Sequence, residues 1–245
     1  SVAFAQAEQL VDRIDNDYWK GLLYYLFGSI YEESCDYFRA EKYYSEASNC
    51  YHKAQKVFHE LYALYRVGES KLDMNEFRTA DSIFLNTGER ALSVGDSSLY
   101  YSCYIGRVSC YIYLEEPDSV SELLNLNVIQ EEPLNSFYYV ELMAMYYGMI
   151  EKYETTDFYL KQAWNCNLSQ KDSIYLFYVC SLIEEKKGDL KESLECFRKY
   201  VSLQNNSLRR DLAQPIAWAQ RDYYRTLSEL EAIKARNRVT MLVAS

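Results

Sequence analysis

The chain has 245 residues, 49% of them apolar and 25% charged, and its 8 glycines and 3 prolines are too few to punctuate a sheet protein. The formal net charge of -10 argues against nucleic-acid binding by this segment, because a phosphate backbone would be repelled. None of the 7 cysteines belongs to a CxxC pair, so neither a zinc motif nor a disulfide framework is indicated.

The N-terminal residues are predicted to form an amphipathic helix. Apolar side chains recur there at helical spacing, at Phe4, Ala7, Leu10 or Val11, and Ile14. The chain begins without a methionine or a signal-peptide pattern, so we expect a fragment of a longer protein. We interpret residues 1–16 as the second helix of a preceding repeat.

A helical hairpin is predicted over residues 21–54. Its first helix carries aromatic and small side chains along one face, at Tyr24, Phe27, Gly28 and Tyr31. Its second helix follows a break near Cys35 and carries Ala40, Tyr44 and Ala47. We expect Gly28 and Ala40 to face each other where the two helices cross most closely, since larger residues would hold the helices apart.

The pattern returns further along the chain, where the glycine, alanine and aromatic landmarks are Gly68, Ala80 and Phe84. Each lies the same number of positions after its counterpart in the first hairpin, Gly28, Ala40 or Tyr44. We call this separation, the step from Gly28 to Gly68, the repeat period.

Looser copies follow these two. The third has a helix over 98–114 and a turn at Glu116-Pro117-Asp118, where the proline favours a break. The fourth runs from Val140 to Ala163, and the fifth turns at Gly188-Asp189-Leu190.

These landmarks resemble the tetratricopeptide repeat, whose signature is an aromatic residue, Leu-Gly and Tyr on one helix, then Ala, an aromatic residue and Ala on the next. The resemblance covers residues 17–204. It implies an all-α fold, an α-solenoid of about five helical hairpins that is followed by a long C-terminal helix over residues 205–245. Arrays of this kind bind proteins or peptides on a concave face built from the first helices.

Residues that flank the packing positions of each first helix are expected to line that groove. Tyrosine recurs among them and suits peptide recognition, because it combines a broad apolar ring with a polar tip. The alternative is that these tyrosines pack against the next repeat. The predicted groove residues are Tyr25, Ser29, Glu32, Tyr62, Tyr65, Glu69, Tyr104, Arg107, Tyr111, Tyr138, Glu141, Tyr175 and Tyr178.

This set indicates what the groove would bind. Some tetratricopeptide proteins clamp a peptide carboxylate with Lys, Arg and Asn, but here Arg107 is the sole cation among the predicted positions. We therefore expect a basic or aromatic peptide instead. No catalytic or phosphate-binding motif is present, and the spacing of His52 and His59 is not that of a zinc site. Neither an enzyme nor a cofactor is expected.

The C-terminal region is predicted to hold one long amphipathic helix after Pro215. Apolar residues step by 3 or 4 from Ile216 to Ile233, so residues 216–233 can cap the array or form a homodimer as a coiled coil. Basic residues then precede an apolar run that begins at Val239. That run is too short to cross a membrane but could be the start of a truncated span.

The whole layout resembles bacterial membrane-tethered transcriptional regulators, in which a repeat domain is followed by one span. This resemblance implies a sensory or scaffolding interaction module that is tethered after Val239 and located on the periplasmic side. The alternative is a cytoplasmic scaffold or co-chaperone-like adaptor that dimerises through its C-terminal helix.

Overall fold

A computed structural model describes residues 11–124 and 137–207, and these residues form helices and no strand. A 3-10 turn at Val11–Arg13 precedes the helices. The helices are α1 Asp17–Glu33, α2 Tyr37–Lys53, α3 Val57–Asp73, α4 Phe77–Ser93, α5 Ser97–Tyr113, α6 Pro117–Leu124, α7 Phe137–Met149, α8 Tyr153–Asn165, α9 Gln170–Lys187 and α10, residues 190–207. They pair in chain order as five hairpins, so the predicted all-α repeat fold is confirmed.

The repeat has a half-period that the sequence pattern did not reveal. Helices α1 to α6 begin at positions 17, 37, 57, 77, 97 and 117, so each of these helix starts follows the previous one at the same interval. After each of the first five, the residue two positions past the helix has a positive φ: Cys35, Gln55, Asn75, Gly95 and Glu115. The connections within hairpins and between hairpins therefore share one backbone geometry.

The shared connection is a Schellman turn. At the first one, the Cys35 amide donates to the Glu32 carbonyl and the Asp36 amide to the Tyr31 carbonyl, both at 2.9 Å. The next helix starts at once, and Asp36 and Asp96 accept from backbone amides as N-caps. The turn predicted at Glu116-Pro117-Asp118 ends earlier than expected, because Pro117 occupies the first position of α6, where its missing N–H costs nothing.

Aromatic rings fill the space left by glycines. A Cβ on Gly28 would lie 2.7 Å from the ring of Tyr44, and one on Gly68 would lie 2.6 Å from the ring of Phe84. The atoms nearest to the Gly28 Cβ position belong to the ring of Tyr44, one helical turn from Ala40, and the expected contact between Gly28 and Ala40 stays a prediction. The Phe84 ring is also held from its other side, 2.7 Å from the Cβ position of Gly106.

The chain divides into two compact units, residues 1–167 and 168–245. In the first unit, α5, α6 and α7 share a core that includes Val108, Val120 and Leu142. In the second, α9 starts with a capping box of Ser169 and Asp172 and buries Ile174, Leu176 and Val179. Gly188 then closes α9 in the left-handed conformation, which glycine adopts without strain.

Some predictions lie outside the described residues. They concern most of the helix over residues 1–16, the amphipathic helix over residues 216–233 and the apolar run after Val239. Among the helices that are described, none combines the length and the apolar character needed to cross a membrane.

Candidate functional site

The most elaborate polar arrangement among the described residues surrounds Arg66 of α3. Its guanidinium forms ion pairs with Glu32 of α1 and, at 2.5 Å, with Glu69 of its own helix. The Tyr44 hydroxyl of α2 donates to the same Glu32 carboxylate at 2.6 Å, and the guanidinium lies 5.5 Å from the Tyr44 ring centroid. Three helices are thus joined through one arginine.

Tyrosines surround these charges. The Tyr65 hydroxyl donates to Glu69 at 2.8 Å, and the half-buried Tyr25 ring meets the Tyr44 ring edge-on at 5.2 Å. Tyr62 is 43% exposed and offers its ring to solvent. We call this set the Arg66 cluster, and its members are Tyr25, Glu32, Tyr37, Tyr44, Tyr62, Tyr65, Arg66, Glu69 and Asp73.

The cluster holds more negative than positive charge. Loss of hydration raises the pKa of Asp73 to about 6, although part of its side chain is exposed, and repulsion by Glu69 and Glu32 adds to this shift. Burial also raises the pKa of Glu69, against the opposing effect of Arg66. Three carboxylates face one guanidinium, so a cation placed here would relieve their repulsion.

The fold builds the same junction again with apolar or small residues at three of these positions. We call the packing of hairpin α1–α2 against α3 the first junction, and that of hairpin α3–α4 against α5 the second. One repeat period after Tyr44, Glu32 and Arg66 stand Phe84, Leu72 and Gly106. Leu72 packs against the core that contains Phe84, and Gly106 admits the Phe84 ring. The backbone geometry therefore does not depend on the polar set.

The structure places the predicted groove residues in several different environments. Those of the first two repeats lie in or beside the Arg66 cluster, where Ser29 of α1 is half-buried. In contrast, Tyr104 is buried and donates to the Leu123 carbonyl at 2.9 Å, and Glu141 is 4% exposed. The predicted orientation of these two side chains toward an open groove is corrected, since both lie within the core.

The other predicted residues of the third repeat form a separate ion pair. Arg107 donates from Nε to Asp81 of α4 at 2.7 Å, and the Tyr111 hydroxyl donates to the same carboxylate at 2.9 Å. These contacts join α4 to α5. Of the remaining predicted residues, Tyr138 is 61% exposed, whereas the rings of Tyr175 and Tyr178 are half-buried in the second unit.

The predicted groove residues of the third repeat were misplaced because the repeat was aligned in the wrong register. By the repeat period, Tyr62, Tyr65 and Glu69 correspond to Ser102, Ile105 and Ser109. The prediction took Tyr104, Arg107 and Tyr111, each of which lies two positions further on. Val108 occupies the position of Gly28 and Gly68, so the landmark that would have set the register is missing.

Sequence reasoning missed Arg66, Tyr37 and Asp73, and assigned Tyr44 to packing alone. Arg66 lies between two predicted groove residues, and its pairing with Glu32 spans 34 positions, which no single-helix pattern shows. The two histidines lie in different settings. His52 is 3.1 Å from Glu60, and the His59 ring lies 5.4 Å from the Tyr18 ring.

Comparison with known proteins shows a shared fold. No protein-family profile and no curated protein sequence matches the chain. Among solved structures, the chain is similar to the apo form of RapI, with a TM-score of 0.65 and 12% sequence identity. The match covers 85% of this chain and 91% of RapI. At this identity the likeness supports the helical-repeat architecture.

Proposed function

We propose that this chain is a non-enzymatic protein-interaction module that binds a peptide or partner protein on the face formed by the Arg66 cluster. The observation that carries the proposal is the difference between the two junctions. At the second junction Phe84, Leu72 and Gly106 fill the equivalent positions, so packing at these positions does not by itself require the polar set of the first. A surface that combines exposed tyrosine with charge is suited to binding.

The chemistry of the cluster favours a partner with a basic side chain. Arg66 is already engaged by two carboxylates, so it is poorly placed to receive a peptide carboxylate. The Asp73 and Glu69 carboxyl groups have raised pKa values, which a neighbouring lysine or arginine would lower again. Tyr62 could pack on the aliphatic stem or the cation of such a residue.

A variant that copies the second junction into the first tests this proposal. The junction-swap variant carries Glu32→Leu, Tyr44→Phe, Arg66→Gly and Glu69→Ser, each new residue taken from the position one repeat period further on. A displayed library of random peptides is selected on the parent chain, and the affinities of the recovered peptides are then measured by fluorescence anisotropy. We expect peptides rich in lysine and arginine, with affinities reduced about ten-fold or more in the junction-swap variant.

Tyrosine contacts are tested separately by Tyr62→Ala with Tyr65→Ala. A matched control is Phe38→Ala with Phe158→Ala, which removes two exposed rings elsewhere in the same unit. We expect weaker binding by the tyrosine variant alone. If both still-folded site variants bind the selected peptides as the parent does, the proposed face is wrong.

We further propose that the module belongs to a membrane-tethered regulator and lies on the periplasmic side of the membrane. What supports the tether is the apolar run that begins at Val239, and what supports the periplasmic side is the resemblance of the whole layout to membrane-tethered regulators. The basic residues ahead of the run favour the cytoplasmic side instead, which is the alternative location. The reading frame beyond residue 245 tests the tether. A continuous apolar stretch of about 20 residues is expected, and a polar continuation would contradict the tether.

A further inference from the structure

Helix α10 carries a row of exposed apolar side chains. Leu190 is 68% exposed, Leu194 48%, Phe197 44% and Val201 38%. Their spacing of 4, 3 and 4 places all four on one face of the helix. We call this face the Leu190 row. Four large apolar side chains along one helix face favour coverage by another apolar surface.

The corresponding row in the first unit shows what covers such a face. Phe197 occupies the aromatic position of Phe84, and the same alignment matches the whole row with Phe77, Asp81, Phe84 and Gly88 of α4. Each of these four residues contacts α5, the next helix along the chain. The partners on α5 are Tyr113, Arg107 and Tyr111, Gly106 and Cys103, respectively.

The next segment of this chain has apolar or aromatic residues at the spacing of the α5 residues that face α4. The α5 face toward α4 includes Cys103, Arg107, Cys110 and Tyr113. In residues 217–233, which lie outside the described part, the same steps of 4, 3 and 3 fall on Tyr223, Leu227, Leu230 and Ile233. The offset between these two sets is three repeat periods, whereas α10 matches α4 at a shorter offset, so this alignment leaves a longer connection before residues 217–233 than the one before α5. Pro215, just ahead, is suited to the start of a helix.

We propose that residues 217–233 form a helix that packs along the Leu190 row, as α5 packs along α4. The segment is joined to α10 by a short connection, so its effective concentration at the row is high. A second copy of the chain is a poorer occupant. A stable dimer buries roughly 800 Å² on each partner, more than four partly exposed side chains provide.

Hydrogen–deuterium exchange of the full chain, read by mass spectrometry, tests this contact. Isolated helices of this length are marginal in water, so slow exchange over residues 217–233 requires packing. We expect protection there at both low and high protein concentration. Phe197→Asp should reduce it about ten-fold or more, whereas Leu92→Asp, at an exposed leucine of α4, should leave it unchanged.

A second variant separates loss of the contact from loss of folding. Leu230→Asp lies outside the α9–α10 hairpin, so that hairpin should stay protected while residues 217–233 exchange faster. Fast exchange of residues 217–233 in the parent would overturn the proposal. So would protection that appears only at high concentration, which indicates a second copy, or protection that survives Phe197→Asp with α9 and α10 still folded.

Discussion

The first and second junctions share one backbone plan, one repeat period apart, but differ in chemistry. At the first, Tyr44 is held by charges from two other helices. At the second, Phe84 sits between Gly68 and Gly106 with Leu72 in the same core. At these equivalent positions the repeat closes with polar side chains once and with apolar or small ones once, while the charges of the second junction lie elsewhere, in the ion pair between α4 and α5. The polar set therefore needs an explanation other than packing.

The largest expected effect comes from removing the cation at the first junction. Arg66→Gly leaves the Glu32 and Glu69 carboxylates without their partner, and we expect a loss of about 3 kcal/mol of stability, since both are only partly exposed. The junction-swap variant also carries Arg66→Gly but removes those carboxylates. It should recover most of the loss, to within about 1 kcal/mol of the parent.

Urea denaturation of the parent and the two variants measures this difference. The comparison of the junctions would fail if the junction-swap variant were as unstable as Arg66→Gly. That result would mean that the polar set is needed for the first junction to fold, and it would remove the main support for a binding role.

The second prediction concerns the opposite change to that in the junction-swap variant, because it adds a hydroxyl group at the second junction. The Phe84 ring carbon Cζ lies 3.1 Å from the Cβ position of Gly68 and 2.8 Å from that of Gly106. Phe84→Tyr would place its hydroxyl between these helices, beside apolar Leu72. We expect a loss of about 1–3 kcal/mol, from an unsatisfied polar group in a tight space.

Tyr44→Phe is the matched change at the first junction, and it should cost about 1 kcal/mol, the net value of one hydrogen bond. Thermal or urea denaturation of both variants gives the two losses. Equal losses would show that the hydroxyl is accommodated equally well at both junctions, contrary to the assigned contacts.

The third prediction concerns the charge on Asp73, whose counterpart Tyr113 stacks on Phe77. The pKa of Asp73 in the folded protein is about 6, above its ordinary value of 3.8. The folded state therefore holds this proton more tightly, and the ionised carboxylate lowers stability above about pH 6. Asp73→Asn should raise stability at pH 7 by roughly 1 kcal/mol, allowing for screening by solvent.

The pH dependence of the stability difference between Asp73→Asn and the parent tests whether the pKa of Asp73 is raised. The advantage of Asp73→Asn should shrink as pH falls from 6 to 4, because the parent then becomes protonated and loses the same repulsion. Denaturation curves at pH 7 and pH 4 are sufficient. An advantage that grows toward pH 4 would contradict the raised pKa.

The fold was predictable because the residues that mark each repeat are those required by close packing between helices. Gly28 and Gly68, with Tyr44 and Phe84, mark the close contacts of two repeats, and their constant offset is visible in the sequence. Where the landmark changes, as at Val108, the register was lost and core residues were assigned to the groove. The position of α5 in the repeat becomes clear only from the regular spacing of the helix starts.

The residues of the proposed binding face were only partly predictable. Tyr25, Tyr62 and Tyr65 were among the predicted groove residues because tyrosine recurs at helical positions, which is a property of one helix. Arg66 was missed because its partners lie on α1 and α2. An ion pair between helices depends on how the hairpins stack, and that arrangement follows from packing across the whole junction.

The smallest expected effect lies in the turns that lead into the two junctions. Gln55 ends the first hairpin with a φ of 57°, and Gly95 ends the second with a φ of 84°. Left-handed backbone costs a residue with a side chain about 1 kcal/mol more than glycine. Gln55→Gly should therefore stabilise the protein by about 0.5–1 kcal/mol, and Gly95→Gln should destabilise it by a similar amount.

These two substitutions exchange the turn residues of the junctions and leave the helices unchanged. A Cβ atom at Gly95 would meet nothing within 4 Å, so the expected cost comes from backbone conformation. The double variant should then match the parent in urea denaturation, because the two changes are distant and additive. If Gln55→Gly lost stability instead, the Gln55 side chain would contribute a contact specific to the first junction, and the turns would differ as the side chains around Arg66 and Gly106 do.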